Sequence, residues 1–385
     1  MKPKNVPPAA GFFFAPGPRR NRLLSVVLFV ALVMQGSSFL LYGANGYTGE
    51  LIARYAAAYQ LQPILAGRNK TAVLALSQKL NLPYRIFSLE DSDALRAALK
   101  EVKLVVHAAG PFDVTAVRMV EACLDTATHY VDINGDVSVF ETIHQYSEAA
   151  QKAGIQLMPG VGFDVVPTDC AAVFLKQKLP DADAIQLAFA SLGGGLSHGT
   201  ASTMIQKLGE GGLVRKEGVL MHEPLGKKGM WVDFGMKRLF VMQIPWGDLA
   251  TAYYSTGIPT IETYTAVSPA VFRLLKFQSL FNGILRTKTV RKWIQNKINQ
   301  RPAGPSDEQR ARSLGLIWGK ATNAEGHSAV VTLKGPDGYT LTTHSTLLIA
   351  KRVLEGDFKP GYQTPASVYG ADLILEVPGM SRSFQ

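Results

Sequence analysis

Apolar and polar positions alternate between two periods along the first half of the chain. Phe39–Tyr42 is a short unbroken apolar run, after which Leu51, Ile52, Tyr55, Ala56 and Tyr59 recur at helical spacing. Pro63–Asn69, Tyr84–Phe87, Leu104–Val106, Tyr130–Ile133 and Ile155–Met158 repeat the strand pattern, and one intervening helix opens near Ser92. Strands that alternate with helices predict a parallel sheet covered on both faces, a doubly wound α/β layer. Ligands of such sheets lie beyond the carboxyl ends of the strands. That places Ala109–Phe112, Asp132–Gly135 and Gly160–Asp164 around a site.

The βα rhythm stops near Pro167. "AIQLAFASLGGGLSHGTASTMIQKL" reads as a strand, a Gly-rich loop and a helix opened by Ser197 or Thr200. Ser328–Leu333 and Tyr339–Thr343 flank Gly335-Pro336-Asp337-Gly338, which predicts a β-hairpin followed by an amphipathic helix in "STLLIAKRVLEGD". The expected organisation is an extension over 1–36, a nucleotide domain over 37–166, and an α+β domain containing antiparallel sheet over 167–345. A last segment, 346–385, returns to the first domain.

The run into Gly43-Ala44-Asn45-Gly46-Tyr47-Thr48-Gly49 carries the chemistry. Gly43 permits a tight turn, Gly46 lets backbone approach a phosphate, and Gly49 lets the helix lie close on the strand. The following helix offers unpaired N–H groups and the positive end of its dipole to a pyrophosphate. Where an NAD site carries Asp or Glu after the second strand, this chain has Gly67-Arg68-Asn69. A guanidinium suits a 2′-phosphate, so the expected cofactor is NADP(H); the alternative for Arg68 is an exposed, solvated side chain.

"YGANGYTG", "LAGRN", "HAAGPF", "YVDINGD" and "MPGVGFDVVPTDC", in that order over residues 39–170, resemble the NADP-binding domain of saccharopine dehydrogenase-like oxidoreductases, a group that includes the trans-acting enoyl reductases. "GYQTPASVYGADLILEVPG" is similar to the closing segment of the same group. The resemblance implies a Rossmann domain, a central α+β domain with an open sheet, and hydride transfer with NADP(H). By motif it places Gly43, Gly46, Gly49, Arg68, Gly110, Pro111 and Asp132 at the cofactor, and Asn45, Tyr47, Thr48, Asn69, Ala109, Phe112 and Gly135 beside them complete the expected cofactor set. It does not make saccharopine the substrate, because no basic set for several carboxylates can be placed from the sequence.

Hydride transfer needs a positioned acid or base besides the cofactor. His107, Tyr130, Asp164, Asp169 and His198 are the candidates, with Asp164 and His198 chosen as catalytic. Against that choice, Asp164 and Asp169 also suit capping of the helix near Pro167, and His107 suits a core position. The Gly193–Gly195 loop with Ser197 and His198 either closes over a ligand or is a solvent loop.

Charge and composition remove other classes. The chain has 40 Lys and Arg against 30 Asp and Glu, a net charge of +10, but five of the bases fall within residues 1–33, which hold no acid. No basic stripe or module for nucleic acid dominates. Cys123 and Cys170 form no metal or disulfide pattern, and no metal is expected. The run Leu23–Met34 follows Arg19, Arg20 and Arg22. It reads either as an anchor or signal, or as an over-extended start with Met34 as the first residue; a membrane span needs about 20 residues.

Residues 270–301 hold eight Lys and Arg and no acid, interleaved with Phe272, Leu275, Phe281 and Leu285. This basic amphipathic pattern fits an anionic membrane surface, a helix packed on the sheet, or a homodimer contact. The function expected from the sequence is an NADP(H)-dependent oxidoreductase, cytoplasmic with or without membrane association. Its substrate is a small or lipid-like carbonyl, imine or enoyl compound. The alternatives are an NADPH-holding accessory protein or a membrane-associated scaffold without turnover.

Overall fold

A computed structural model describes residues 37–206, 209–276, 283, 287–300 and 302–384. The extension 1–36, including Leu23–Met34, lies outside the described residues, as do 277–282, 284–286 and 301 of the basic segment.

In chain order the first half runs β1 (Ser38–Tyr42), α1 (Tyr47–Tyr55), β2 (Gln62–Gly67), α2 (Lys70–Leu80) and β3 (Tyr84–Ile86). It continues with α3 (Ser92–Leu99), β4 (Leu104–His107), α4 (Phe112–Thr126), β5 (His129–Asp132), α5 (Val137–His144), α6 (Ser147–Ala153) and β6 (Gln156–Met158). The long helix α7 (Val166–Lys178) leads into β7 (Ala184–Leu192), α8 (His198–Gln206), β8 (Gly212–Lys216) and β9 (Val219–Glu223). Then come β10 (Gly229–Asp233), β11 (Arg238–Gln243), α9 (Asp248–Thr256), β12 (Thr260–Ala266), α10 (Pro269–Lys276) and α11 (Lys288–Asn299). The chain closes with α12 (Asp307–Arg312), β13 (Leu314–Thr322), β14 (Ser328–Pro336), α13 (Gly338–Leu354), β15 (Gly361–Tyr362), α14 (Pro365–Tyr369) and β16 (Ser381–Phe384).

Seven strands form one sheet in the order β15-β6-β5-β4-β1-β2-β3, every pairing parallel. All four residues of β4 are buried, as a central strand with helices on both faces requires. Nine strands form the second, mixed sheet, whose main path is β10-β11-β12-β7-β13-β14-β16. The last strand pair of the first sheet brings residues 361–362 back beside β6.

Helix α7 is apolar nearly all round and lies in the core shared by the two sheets. Across the same interface the buried Arg215 guanidinium donates to the carbonyls of Leu249 (2.5 Å) and Gly218 (2.7 Å) and pairs with Glu141 of α5. Glu141 also accepts from Tyr254 Oη at 2.7 Å. The two sheets are thereby tied by a buried cation as well as by packing.

The structure corrects the expected hairpin. The antiparallel partner of β14 is β13, upstream, from Leu314 opposite Pro336 to Thr322 opposite Ser328. Tyr339–Thr343 is the opening of α13 instead of a strand. Asp337 decides this, since its Oδ1 accepts the N–H groups of Tyr339 (2.9 Å) and Thr340 (3.3 Å) and so caps a helix. The helix near Pro167 differs too: Asp169 lies within its first turn and binds Ala366 N at 2.8 Å, so it fastens α14 and does not cap α7.

Candidate functional site

The turn between β1 and α1 is closed by Gly46 N–H on Gly43 O at 2.9 Å. It is stitched to the next strand by Gly43 N and Ala44 N, both donating to Ala66 O. Gly43 has φ +89°, which favours glycine. A Cβ on Gly49 would lie 2.3 Å from Gly43 O, and one on Gly43 would lie 2.7 Å from Ala108 and Ala109 backbone. Helix α1 starts at Gly46 with no side-chain cap, so its first N–H groups point outward over exposed Asn45 and Gly46. The turn therefore presents backbone donors of the kind that a phosphate group accepts from.

Arg68 and Asn69 follow β2 and are exposed. Among the described residues Arg68 has no acidic partner, whereas Asn69 Oδ1 caps α2 by accepting Ala72 N at 3.1 Å. Gly67 leaves room for Asn45, whose Oδ1 would be 3.0 Å from a Cβ there. Beyond β4, Thr115 Oγ1 lies within 3.0 Å of Ala109 O, Pro111 O and His107 Nε2, fixing the Ala109–Phe112 loop to α4. With that hydroxyl donating to a carbonyl, Nε2 carries the proton of a neutral imidazole. Burial holds His107 down to about 3, so it is a structural group at neutral pH.

Asp132 is fully buried. Its carboxylate accepts from Tyr130 Oη (2.6 Å), Asn134 N (2.9 Å) and Gly160 N (2.8 Å). It joins the loops after β5 and β6 and leaves no oxygen for a ligand. Asp164 is its opposite: a partly buried carboxyl with no hydrogen-bond partner among the described residues, raised to about 7 by burial. It packs on Gly135, where a Cβ would meet its Oδ2 at 2.6 Å.

Tyr47 leaves the phosphate turn for a strap over residues 303–312. Its hydroxyl donates to Pro305 O (2.5 Å) and accepts from Arg310 (2.8 Å), its ring stands edge-on to Tyr339 at 5.0 Å, and Gly304 fits only because it has no Cβ. His198 belongs to this wall, with its N–H on Ala303 O at 2.9 Å. Ser197 Oγ accepts Thr200 N, and Ser197 N donates to Tyr339 Oη, so Ser197 opens α8. Asp164 and His198 thus stand on different walls.

The fold over most of the chain is that of the yeast saccharopine dehydrogenase (L-Glu forming) solved in its apo form, with a TM-score of 0.63 and 14% identity over 91% of this chain and 100% of that one. Residues 39–158 match the saccharopine dehydrogenase NADP binding domain. Residues 39–158 thus carry an NADP-binding domain of the saccharopine dehydrogenase type, and the rest of the chain shares the fold of that enzyme. A Mycobacterium tuberculosis protein assigned as a trans-acting enoyl reductase is 30% identical over 182 residues, 44% of this chain and 43% of its own length. A mouse saccharopine dehydrogenase-like oxidoreductase is 25% identical, over 46% and 47%. The chain therefore aligns with less than half the length of these two relatives. A lipid droplet localized protein of Caenorhabditis elegans is 24% identical across 88% of this chain and 95% of its own. The cofactor of the family domain is NADP, in keeping with Arg68 after β2.

Three features of the candidate site escape sequence reading. Phe189, partly buried at the end of β7, meets Phe163 beside Asp164, and Trp246, partly buried before α9, lies against Phe189. Arg310 reaches the phosphate turn through Tyr47. The "IPWGD" turn signal around Trp246 was the only local hint.

Proposed function

We propose that this chain is an NADP(H)-dependent oxidoreductase that moves a hydride to or from a carbonyl, imine or enoyl carbon. The observation that carries the reading is one edge of one sheet: the phosphate turn follows β1, and the unpartnered carboxyl of Asp164 follows β6. Three strand spacings of about 4.8 Å separate them, roughly 14 Å, a span that a dinucleotide laid across the strand ends covers.

NADPH, when bound, supplies the hydride. Gly43, Gly46 and Gly49 admit the pyrophosphate to the backbone, and Arg68 receives the 2′-phosphate. Ala109–Phe112 and Asn134–Gly135 form the floor between. Asp164, held protonated near neutral pH, gives its proton to the oxygen, nitrogen or α-carbon that receives electron density, and regains it from solvent. His198, on the strap wall, has a closing role at most.

The test is a fluorescence titration with NADPH and NADH, followed by NADPH oxidation across carbonyl, imine and enoyl compounds. NADPH-preferring binding with turnover of one class supports the reading. Binding with no turnover that restores a partner enzyme selects the accessory-protein alternative.

A second reading concerns place. On α10 and α11, Leu274 is 71% and Trp293 59% exposed, beside Arg273, Lys292 and Lys297. Lys297 lies over the Trp293 ring at 4.2 Å. No described helix is long and apolar enough to cross a membrane. Exposed apolar side chains among bases fit the interface of an anionic lipid surface, and the nematode relative carries a lipid-droplet name. Flotation with anionic vesicles that is unchanged in Trp293→Ser with Leu274→Ser would remove this reading.

A further inference from the structure

Asp164 stands next to an aromatic corner. Phe163 meets Phe189 edge-on at 5.7 Å, and Phe189 lies against Trp246 at 4.5 Å with the ring planes 36° apart. The three rings come from the loop after β6, the end of β7 and the loop before α9, so both sheets contribute. Each is only partly buried, although its neighbours on those strands are core. Gly315 and Gly338 leave the space that Phe163 fills: a Cβ on either would lie 3.1 or 3.2 Å from its ring. The corner closes on the floor of the cofactor site, because a Cβ on Gly247, the residue after Trp246, would lie 3.3 Å from Gly135 O.

Two carboxyl groups stand close to it. Asp248, wholly buried with neither oxygen hydrogen-bonded, follows Gly247; burial above all raises its proton affinity, and Asp169 and Asp164 raise it further. No cation offsets Asp164 among the described residues, burial being the sole cause of its shift. A carboxylate brought here meets desolvation and no compensating cation, and at pH 8 it also meets an Asp164 that has lost its proton, whereas an apolar chain or a planar conjugated group meets ring faces.

We propose that Phe163, Phe189 and Trp246 form the substrate subsite, and that it takes an uncharged, apolar acyl-type compound with its reactive carbon beside Asp164 and excludes amino acids and other carboxylates. This rests on the oxidoreductase reading. It accounts for a cofactor domain of the saccharopine dehydrogenase type beside an Asp164 that no cation offsets among the described residues.

Two probes with the same chain isolate the charge: methyl 2-oxodecanoate and 2-oxodecanoate, each titrated into the NADP+-loaded full chain at pH 8. The ester is expected to bind at least 30-fold more tightly than the acid. Trp246→Ala weakens the ester at least tenfold with NADPH affinity held within twofold, and Trp246→Phe restores most of the loss. Phe189→Leu, a milder change, gives the same direction should Trp246→Ala fail to fold. The acid binding as tightly as the ester, or ester affinity unmoved by both variants while NADPH binds normally, overturns the subsite. Absence of NADPH binding to the wild-type chain overturns instead the reading beneath it.

Discussion

A Cβ on Gly49 would stand 2.3 Å from the carbonyl oxygen of Gly43, closer than any real contact of that kind. The first and last glycines of the turn are therefore joined by space, and the helix cannot approach β1 with a side chain between them. Gly46 is looser, its Cβ falling 3.2 Å from the same oxygen.

Gly49→Ala is accordingly expected to cost about 1–3 kcal/mol of stability through overpacking and to weaken NADPH at least tenfold. Gly46→Ala is expected to spare most of the stability and still obstruct the phosphate. Thermal melts of both variants, with and without NADPH, separate the two effects: equal melting losses for both would show that the close approach at Gly49 is not the determinant.

Arg68 makes its own prediction because it is exposed and has no acidic partner among the described residues. Nothing in the fold depends on its charge, so Arg68→Glu should leave the melting temperature within a degree or two. NADPH affinity should fall by 10- to 100-fold, about 1.4–2.8 kcal/mol, and NADH affinity by less than threefold. Equal losses for the two dinucleotides would mean that the 2′-phosphate is read elsewhere.

How much of this was legible follows from how local each signal was. The strand, the glycine turn and the helix lie within Phe39–Tyr59, so their periods and spacing are read together. The strand-end loops were legible because a parallel sheet sends every carboxyl end to one edge. Pro336-Asp337-Gly338 misleads because the same residues serve a tight turn and a helix start. The difference lies in Asp337 Oδ1 accepting two forward N–H groups and in β13 already occupying the edge of β14. The ring corner could not be read at all. Phe163, Phe189 and Trp246 meet only because β7, between β12 and β13 in the second sheet, sets Phe189 between Phe163 of the loop after β6 and Trp246 before α9.

Gly135→Ala tests the seat of Asp164. The added carbon would lie 2.6 Å from Oδ2, so the carboxyl must rotate toward solvent or toward the rings. Turnover should fall at least tenfold and NADPH affinity by much less, since Gly135 touches only the floor and the phosphate turn is two strands away. An unchanged kcat in a variant that folds and binds NADPH would remove Asp164 from the reaction.

The proton on Asp164 has a signed consequence for stability as well as for rate. Burial lifts its carboxyl from 3.8 to about 7, so between about pH 4 and 7 the native chain keeps a proton that the unfolded chain has lost. Stability from this group is complete below pH 4 and declines as pH rises, by up to about 1.4 kcal/mol per pH unit and on the order of 4 kcal/mol in all. Asp132 and Asp169, each raised to about 6, slope the same way. Asp164→Asn removes one slope alone: it should be more stable than the wild type at pH 8 and nearly equal to it at pH 4, measured by urea unfolding at both. In the reductive direction the wild-type kcat/KM should fall about tenfold per unit above pH 7, and the residual rate of the variant should not. A wild-type rate flat from pH 6 to 9, with the stability difference present, would leave Asp164 as a buried acid that takes no part in the proton step.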